Sequence, residues 1–312
     1  MINEQSYFDI QVNGYGGIDF NQTDLTLEGL HTACEKLKTD GVNGILATII
    51  TADMNVMKNR LQNIVRFRDQ DSLIKEMIYG LHIEGPFINR EIGYRGAHPK
   101  EYISETNIDE MRSLLDSAGG LTKIVTLAPE VDTGNKLTRA LTDEGIVVSA
   151  GHCNPSLDEL KSAVDSGLSM VTHLGNGCPQ VLHRHENIIQ RALSLKNYLS
   201  LCFIADGIHI PFYALKNYIT TAGIENCIIT TDAMAAAGAK PGQYQISNIT
   251  LEVGEDGIVR EPGKDNFAGS SVTMKQSFKN LTERLELTKE DATKLTRLNP
   301  LKVLGIKYKL EK

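Results

Sequence analysis

The stretch Gly80-Leu81-His82-Ile83-Glu84-Gly85-Pro86-Phe87 decides the fold of this chain. It follows the apolar residues Met77 and Ile78 and stops at a Gly-Pro pair, a pattern typical of a buried strand that ends in a turn. Glu84 lies at the emerging end of that strand. Because an unpaired buried carboxylate is unfavourable, the pattern predicts that Glu84 meets a cation, hydrogen-bond donors or solvent.

Three later apolar segments end in the same way. Each delivers a residue that can bind a metal or transfer a proton: His152 after residues 146–151, His173 after residues 169–172, and Asp232 after residues 228–231. In a barrel of parallel strands the carboxyl ends of the strands meet at one face, where active sites form. The four segments therefore predict a barrel with its site at that face.

The alternation of strands and helices supports the same architecture. Eight strands, with helices between most of them, are predicted at residues 7–12, 44–50, 78–84, 122–128, 146–152, 169–173, 199–204 and 228–232. This order predicts an α/β protein, a (β/α)8 TIM barrel. Beyond the eighth strand, alternating residues over 243–260 predict a β-hairpin excursion, and further helices are expected up to residue 285 and over 289–298, the last ending at Asn299-Pro300. We expect one domain, 1–312.

Composition excludes several classes of protein. The chain has 312 residues, 41% of them hydrophobic and 23% charged, and a net charge of −7, which gives no general attraction to nucleic acid. Its longest apolar runs have the length of strands, so no membrane span is expected, and its first residues do not resemble a signal peptide. The five cysteines form no CxxC pair and predict reduced thiols in a cytoplasmic protein.

Glu84, His152 and His173 together offer one carboxylate and two imidazoles. Three protein ligands and one open position are typical of a catalytic zinc site, and a carboxylate such as Asp232 can act as the base beside it. Each residue also has a simpler interpretation. A histidine at the end of a strand is often only hydrogen-bonded, and Asp232 can cap a following helix.

Other residues near the predicted strand ends are candidates for anion binding. The backbone at Asn176-Gly177 can present N–H groups to an anion, and Arg184 suits bidentate contact with phosphate. His209 and His98 lie in loops, the latter in a long loop that can close over a ligand. The alternative for residues 181–187 is the solvated start of a helix with local ion pairs.

These motifs, taken in order, resemble the N-acetylglucosamine-6-phosphate deacetylases of the amidohydrolase superfamily, over about residues 7–306. The resemblance implies a metal-dependent amidohydrolase barrel. It depends on nine matches: Gln11-Val12-Asn13-Gly14, His82-Ile83-Glu84-Gly85-Pro86-Phe87, Gly96-Ala97-His98, Ala150-Gly151-His152, Thr172-His173-Leu174 with Asn176, Asp206-Gly207 with His209, Thr231-Asp232-Ala233, Ala268-Gly269-Ser270 with Thr273-Met274, and Leu298-Asn299-Pro300 with Leu304-Gly305.

The resemblance implies hydrolysis of the acetamide of N-acetylglucosamine 6-phosphate, in amino-sugar catabolism. Glu84, His152 and His173 would bind one divalent metal ion, with Zn²⁺ preferred and Fe²⁺ or another divalent ion as alternatives. Asp232 would act first as general base and then as general acid. Gln11 stands where many amidohydrolases have the first histidine of a His-x-His pair, which argues for a single metal ion.

The resemblance also implies the substrate contacts. His98 would help to bind the sugar, and His209 and Gln11 would contact the substrate. Asn176 with the backbone at Gly177 would hold the phosphate. Arg184 falls where the family has a phosphate-binding arginine, often from a neighbouring subunit. We therefore expect a homodimer or a larger homo-oligomer that acts on a small amino-sugar phosphate, with no nucleic-acid or membrane partner.

Two departures from the family pattern keep alternatives open. The β-sandwich that usually accompanies the barrel has too few residues here, so we expect a barrel-only form. The segment 172–179 reads Thr-His-Leu-Gly-Asn-Gly-Cys-Pro where the family usually has an aromatic residue after His-Leu and Ala-Met after Asn. The substrate is alternatively another N-acyl amino sugar, such as N-acetylgalactosamine 6-phosphate, or another N-acyl compound. The second alternative is a non-catalytic barrel that binds a sugar phosphate.

Overall fold

Eight parallel strands form the centre of the protein, seen in a computed structural model that describes residues 6–246, 249–254, 256–260 and 269–306. Three residues of the predicted hairpin (247, 248 and 255) and Ala268 of the Ala268-Gly269-Ser270 motif lie outside these ranges. The barrel strands are β1 Tyr7–Val12, β2 Val42–Ile50, β3 Ile78–Glu84, β4 Thr122–Leu127, β5 Val147–Ala150, β6 Met170–Val171, β7 Ser200–Ile204 and β8 Cys227–Thr230.

Helices cover the outside of the barrel and follow most of the strands. They are α1 Leu27–Thr39, α2 Met54–Gln70, α3 Ser72–Met77, α4 Ile108–Ser117, α5 Lys136–Asp143, α6 Leu157–Asp165, α7 Ile188–Ser194, α8 Phe212–Ala222, α9 Met274–Glu283, α10 Lys289–Thr293 and α11 Asn299–Val303. Among the described residues, none of these helices is both long and apolar enough to cross a membrane.

The strands pair with their neighbours in chain order, all in parallel. The register brings their carboxyl ends together, since Glu84 pairs with Ile50 on one side and Thr126 on the other, and Ala150 pairs with Val171. Nearly every strand residue is buried, because each strand faces the barrel interior on one side and helices on the other. The predicted (β/α)8 TIM barrel is confirmed.

The first and last strands meet around a buried carboxylate. Asp9 on β1 accepts hydrogen bonds from the hydroxyl groups of Thr230 and Thr231, at 2.6 and 2.5 Å. Just beyond it, Val12 and Ala233 form a parallel β-bridge. These contacts join residues more than 200 positions apart and bring the ends of the sheet together.

Side chains at the loop–helix junctions explain where several helices begin. Ser156 and Glu159 form the capping box that their spacing predicts, with both hydrogen bonds present at the start of α6. Asp71 similarly accepts bonds from the Leu73 and Ile74 amides and separates α2 from the short α3, which the sequence did not predict. Local side-chain bonds therefore fix the positions at which α3 and α6 begin.

The segment after β8 holds a small antiparallel sheet. Strands β9 Gly242–Ile246, β10 Ile249–Val253 and β11 Val259–Arg260 extend the predicted hairpin by one strand. The predicted end of the last helix at Asn299-Pro300 is wrong. Residues 294–298 form a π-helical turn, and α11 begins at Asn299. Pro300 falls in the first turn of this new segment, where a missing N–H is tolerated.

Candidate active site

Glu84 is the centre of the site at the carboxyl ends of the strands. Its buried Oε1 lies 3.1 Å from His152 Nε2 and 3.0 Å from His173 Nε2. Its other oxygen, Oε2, accepts a hydrogen bond of 3.1 Å from Gln11 Nε2. The barrel thus brings together four residues that the sequence places in four different strand segments.

Three of the predicted site residues have left-handed backbone conformations. His152, His173 and Asp232 have φ angles of 51°, 30° and 50°. Residues other than glycine rarely adopt positive φ, and such strain concentrates at functional sites. Each of the three lies two residues beyond the end of its strand, so the strained residues are those that the barrel presents to the site.

The tautomer of His152 shows that the site suits a cation. His152 Nδ1 lies 2.7 Å from the backbone oxygen of Tyr94, so Nδ1 must donate its proton there. A neutral His152 then has a lone pair on Nε2 that faces Glu84 Oε1, another acceptor, at 3.1 Å. Two buried acceptors repel unless a proton or a metal ion lies between them. A carbonyl that fixes the far nitrogen is also the usual environment of a metal-binding histidine.

A third imidazole belongs to the same cluster. Glu84, His98 and His152 form a group that can hold a metal ion, with one ligand atom from each within 4.8 Å of the others. His98 Nδ1 is hydrogen-bonded to Thr51 Oγ1 at 2.8 Å, and the His98 and His152 rings lie edge to face. His98, expected as a sugar contact, therefore lies among the candidate ligands.

Burial and neighbouring charges set the ionisation of the cluster. Burial raises the pKa of Glu84, but its close interactions with His152 and His173 outweigh burial and bring that pKa well below its ordinary value. Burial lowers the pKa of His173, and its hydrogen bond to Glu84 raises it above the ordinary value. Burial together with the charge of His152 lowers the pKa of His98 to about 3. The cluster therefore keeps an ionised carboxylate beside a neutral His98.

Asp232 lies at the end of β8 with its side chain partly exposed. Its Oδ1 accepts a 2.7 Å hydrogen bond from Asn13 Nδ2. Burial raises the pKa of Asp232 to about 6, with the charge of His173 acting in the opposite direction. The alternative that Asp232 caps a helix is wrong, because residues 233–241 form a bridge and turns.

Two loops approach His152 closely enough to require glycine. A Cβ at Gly96 would lie 3.0 Å from His152 Cε1, and a Cβ at Gly177 would lie 2.9 Å from His152 N. The loop after β3 and the loop after His173 therefore both pack on this imidazole. Any larger residue at either position would displace the candidate ligand.

The predicted phosphate contacts are only partly assembled. The backbone N–H of Asn176 already donates to His173 O at 2.9 Å, whereas the Gly177 amide has no hydrogen-bond partner in the described part of the chain. Arg184 is exposed. Residues 181–187 agree in part with the alternative interpretation, the solvated start of a helix with local ion pairs. Asn187 caps α7, and Glu186 pairs with Arg191.

His209 is oriented by a neighbouring carboxylate. Its Nδ1 lies 2.6 Å from Asp206 Oδ2, and both side chains are more than nine-tenths buried. Asp206 Oδ1 also accepts the backbone amides of Ile208 and His209, which closes the turn between them. The carboxylate of Asp206 thereby fixes the orientation of the His209 ring.

A buried chain of hydrogen bonds lies directly beneath the site. His82 Nδ1 faces Ile10 O at 3.1 Å, so its Nε2 accepts from Thr126 Oγ1 at 2.7 Å. Thr126 in turn accepts from Thr172, and Thr172 from Ser149, at 2.7 and 2.6 Å. Each hydrogen bond in this series therefore has a fixed donor and a fixed acceptor. The series links the strands that deliver Glu84, His152 and His173.

Sequence reasoning assigned no role to three residues that contact the site. They are Asn13, Tyr94 and Asp206. Asn13 and Asp206 belong to the motifs Gln11-x-Asn13 and Asp206-x-x-His209, so the sequence does contain a signal for these two residues. Tyr94 acts through its backbone oxygen, which no side-chain pattern can reveal.

Comparison with known proteins gives a consistent result. No family model matches the chain. The chain is 32% identical to the N-acetylglucosamine-6-phosphate deacetylase of Bacillus subtilis over 299 residues, covering 95% of the chain and 74% of the relative, and 31% identical to that of Bos taurus over 309 residues, covering 96% and 74%. A Mycobacterium smegmatis N-acetyl-D-glucosamine-6-phosphate deacetylase, solved as a mutant with N-acetyl-D-glucosamine-6-phosphate, superposes with a TM-score of 0.87 at 27% identity, covering 97% of this chain and 77% of that one.

Proposed function

The chain belongs to the N-acetylglucosamine-6-phosphate deacetylase family, and we propose that it hydrolyses N-acetylglucosamine 6-phosphate to acetate and glucosamine 6-phosphate, a step of amino-sugar catabolism. One observation carries the proposal beyond the family likeness. Two imidazole nitrogens converge on a single oxygen of the buried Glu84, and Asp232, a carboxylate of raised pKa, lies at the same carboxyl end of the barrel.

Glu84, His152 and His173 are the residues proposed to hold one divalent cation. We prefer Zn²⁺, with Fe²⁺ as the alternative, because one carboxylate and two imidazoles suit either ion. A bound cation polarises a carbonyl and makes water more acidic. Gln11 supports a single ion, since its amide donates to Glu84 Oε2 where a second imidazole ligand would otherwise be needed.

Asp232 carries the proton in the proposed reaction. Its carboxylate takes a proton from the attacking water as the oxygen–carbon bond to the acetamide carbon forms. The carbon–nitrogen bond then breaks, and Asp232 returns the proton to the leaving amine. A carboxyl group whose pKa lies near 6 is suited to both steps close to neutral pH, because it can accept and release a proton there.

His98, His209, Asn176, Gly177 and Arg184 are the proposed substrate contacts. The unpartnered Gly177 amide can donate to a phosphate oxygen, and Arg184 provides a guanidinium. The backbone N–H of Asn176 already donates to His173 O, so the proposed phosphate contact of Asn176 relies on its side chain. That side chain donates to His173 O at 3.2 Å and would have to exchange this partner for phosphate.

A homodimer or larger homo-oligomer is proposed because Arg184 is exposed next to apolar surface. Val181 and Ile92 are 91% and 87% exposed, and their two loops touch, since a Cβ at Gly93 would lie 2.7 Å from Pro179. Exposed aliphatic residues at one place support an interface. Light scattering after gel filtration tests this, with Val181→Asp expected to yield monomers.

The remaining proposals concern domain and compartment. We propose that one domain, 1–312, carries the entire site. A reducing, cytoplasmic compartment is proposed because all five cysteines are free and burial raises the pKa of each thiol.

A different amino sugar is the second candidate substrate. At Gly175, where the family usually has an aromatic residue, an added Cβ would meet only Ile189 Cδ1 among the described residues, at 3.7 Å. This opening favours a substrate with an altered ring substituent, of which N-acetylgalactosamine 6-phosphate is the closest case.

Acetate release is the direct test. N-acetylglucosamine 6-phosphate, its unphosphorylated sugar and N-acetylgalactosamine 6-phosphate are assayed side by side on protein of measured metal content. Turnover of the first alone, abolished by a chelator, supports the site and the phosphate contacts. Turnover of the galactosamine compound alone moves the second candidate to first place. Absence of turnover in protein that holds metal rejects these substrates and favours another N-acyl compound. Absence of turnover in protein that binds no metal, even after reconstitution, favours a sugar-phosphate-binding barrel.

A further inference from the structure

Asp232 has one side-chain partner within the described residues. Asn13 Nδ2 donates to Asp232 Oδ1 at 2.7 Å, and no described donor contacts Oδ2. The two oxygens of this carboxylate are therefore not equivalent. One is held by an amide that cannot give up its proton, and the other is left for the reaction.

The backbone of Asn13 is fixed on both sides. Its N–H donates to Ala233 O at 2.7 Å, and its C=O accepts from Phe20 N at 2.9 Å. Ala233 directly follows Asp232 in the chain. Asn13 is only 2% exposed, so its amide has little freedom to turn away from Asp232.

The other end of the Asn13 amide is unsatisfied. Oδ1 is buried and accepts no hydrogen bond from any residue in the described ranges. A nearby buried asparagine, Asn21, shows the usual arrangement: its Nδ2 donates to Thr48 O and its Oδ1 accepts from Ile50 N, both at 3.0 Å. An unpaired buried acceptor is unfavourable for folding, so stability alone does not account for an amide at position 13.

We propose that Asn13 is a positioning residue that selects which oxygen of Asp232 transfers the proton, an inference that rests on the proposed function. The bond from Asn13 holds Oδ1, and Oδ2 takes the proton of the attacking water as the oxygen–carbon bond forms. When the carbon–nitrogen bond breaks, Oδ2 returns that proton to the amine. Asn13 keeps both of its amide protons throughout, so its role is geometric.

Two variants at position 13 and one matched control test the proposal. Asn13→Asp keeps the shape but replaces the donor with an acceptor, Asn13→Ala removes the amide, and Asn21→Ala removes an equally buried amide that is fully paired. Steady-state acetate release gives kcat and KM, and thermal unfolding gives Tm. We expect both Asn13 variants to lose about 10- to 100-fold in kcat with KM within about twofold, the range typical of residues that orient a reacting group.

Stability should separate a positioning role from a structural one. We expect Asn13→Ala to lower Tm less than Asn21→Ala, because it removes an unsatisfied acceptor, and Asn21→Ala to retain a kcat near that of the wild type while folded. A wild-type kcat in Asn13→Asp overturns this inference but not the proposed function. A Tm loss in Asn13→Ala equal to that in Asn21→Ala has the same consequence. A wild-type protein without acetate release overturns the proposed function and this inference together.

Discussion

Asp9 on the first strand accepts hydrogen bonds from both the backbone amide and the hydroxyl of Thr231, the residue that precedes Asp232. The two residues are 222 positions apart in the chain. Thr230 adds a further bond to the same carboxylate. The end of the last strand, and with it the position of Asp232, is therefore anchored to the first strand by one buried side chain.

Replacing Asp9 with alanine should destabilise the barrel strongly. The change leaves the hydroxyls of Thr230 and Thr231 and the backbone amides of Gln11 and Thr231 without this partner in a buried place. We expect a loss of about 2–4 kcal/mol in the free energy of unfolding. Urea unfolding measures it. The exposed Glu105→Gln is the control and should change stability by less than about 0.5 kcal/mol. An Asp9→Ala protein as stable as the wild type would show that other contacts close the barrel.

Replacing Asp232 with asparagine should abolish proton transfer while leaving the cation site intact. The amide cannot accept the proton of the water, so we expect kcat to fall by about 10²- to 10⁴-fold. Metal content should stay at the wild-type level, which elemental analysis checks. Asp256→Asn, at an exposed ion pair with Arg260, is the control. Normal turnover in Asp232→Asn would remove Asp232 from the mechanism.

Replacing Glu84 with glutamine should release the cation. The substitution removes the negative charge on which His152 and His173 converge, and we expect metal affinity to fall by at least about 100-fold, with activity lost in parallel. A rise in Tm on adding Zn²⁺ reports binding independently of activity, because a ligand of the folded state stabilises it. Glu91→Gln, on an exposed loop, should keep that rise. An unchanged metal-dependent Tm in Glu84→Gln would place the cation elsewhere.

Replacing Arg184 with alanine should weaken binding of the phosphorylated sugar and leave the chemical step intact. A charged hydrogen bond of about 1.5–3 kcal/mol corresponds to a KM about 10- to 150-fold higher, with kcat nearly constant. The exposed Arg112→Ala should leave both constants unchanged. If KM for the phosphorylated sugar does not move in Arg184→Ala, another residue binds the phosphate.

Replacing Asp206 with asparagine should change the stability of the protein in acid. Burial raises the pKa of Asp206, but the hydrogen bond and charge of His209 outweigh it and lower that pKa. A lowered pKa in the folded state gives stability that is present above the unfolded pKa of about 3.9 and is lost as the pH falls through the folded value. Asp206→Asn should therefore be less stable than the wild type near neutral pH, and the difference should shrink in acid.

Urea unfolding from neutral pH downwards checks the behaviour of Asp206→Asn. Glu105→Gln should follow the wild-type curve at every pH. A difference between Asp206→Asn and the wild type that stays constant with pH would show that the pair contributes by packing alone.

Local patterns in the sequence were sufficient for the strands and for the residues at their ends. The apolar runs that lead to Glu84, His152 and His173 predict buried strands, because a strand covered on both faces needs apolar residues throughout. The alternation with helices then predicts the barrel, which places these three side chains on one face. The three-residue spacing of Ser156 and Glu159 is likewise a local signal for the start of a helix, and the capping box forms there.

Only the tertiary structure decided how the site is completed. The bond from Asn13 to Asp232 and the anchoring of Thr231 by Asp9 join the two ends of the barrel, and no periodic pattern encodes contacts between residues so far apart. Tyr94 fixes the His152 tautomer through a backbone oxygen, which every residue type possesses. His98 enters the ligand cluster because its loop folds back over the barrel. Sequence determined which residues reach the carboxyl face; barrel closure and loop packing determined their partners.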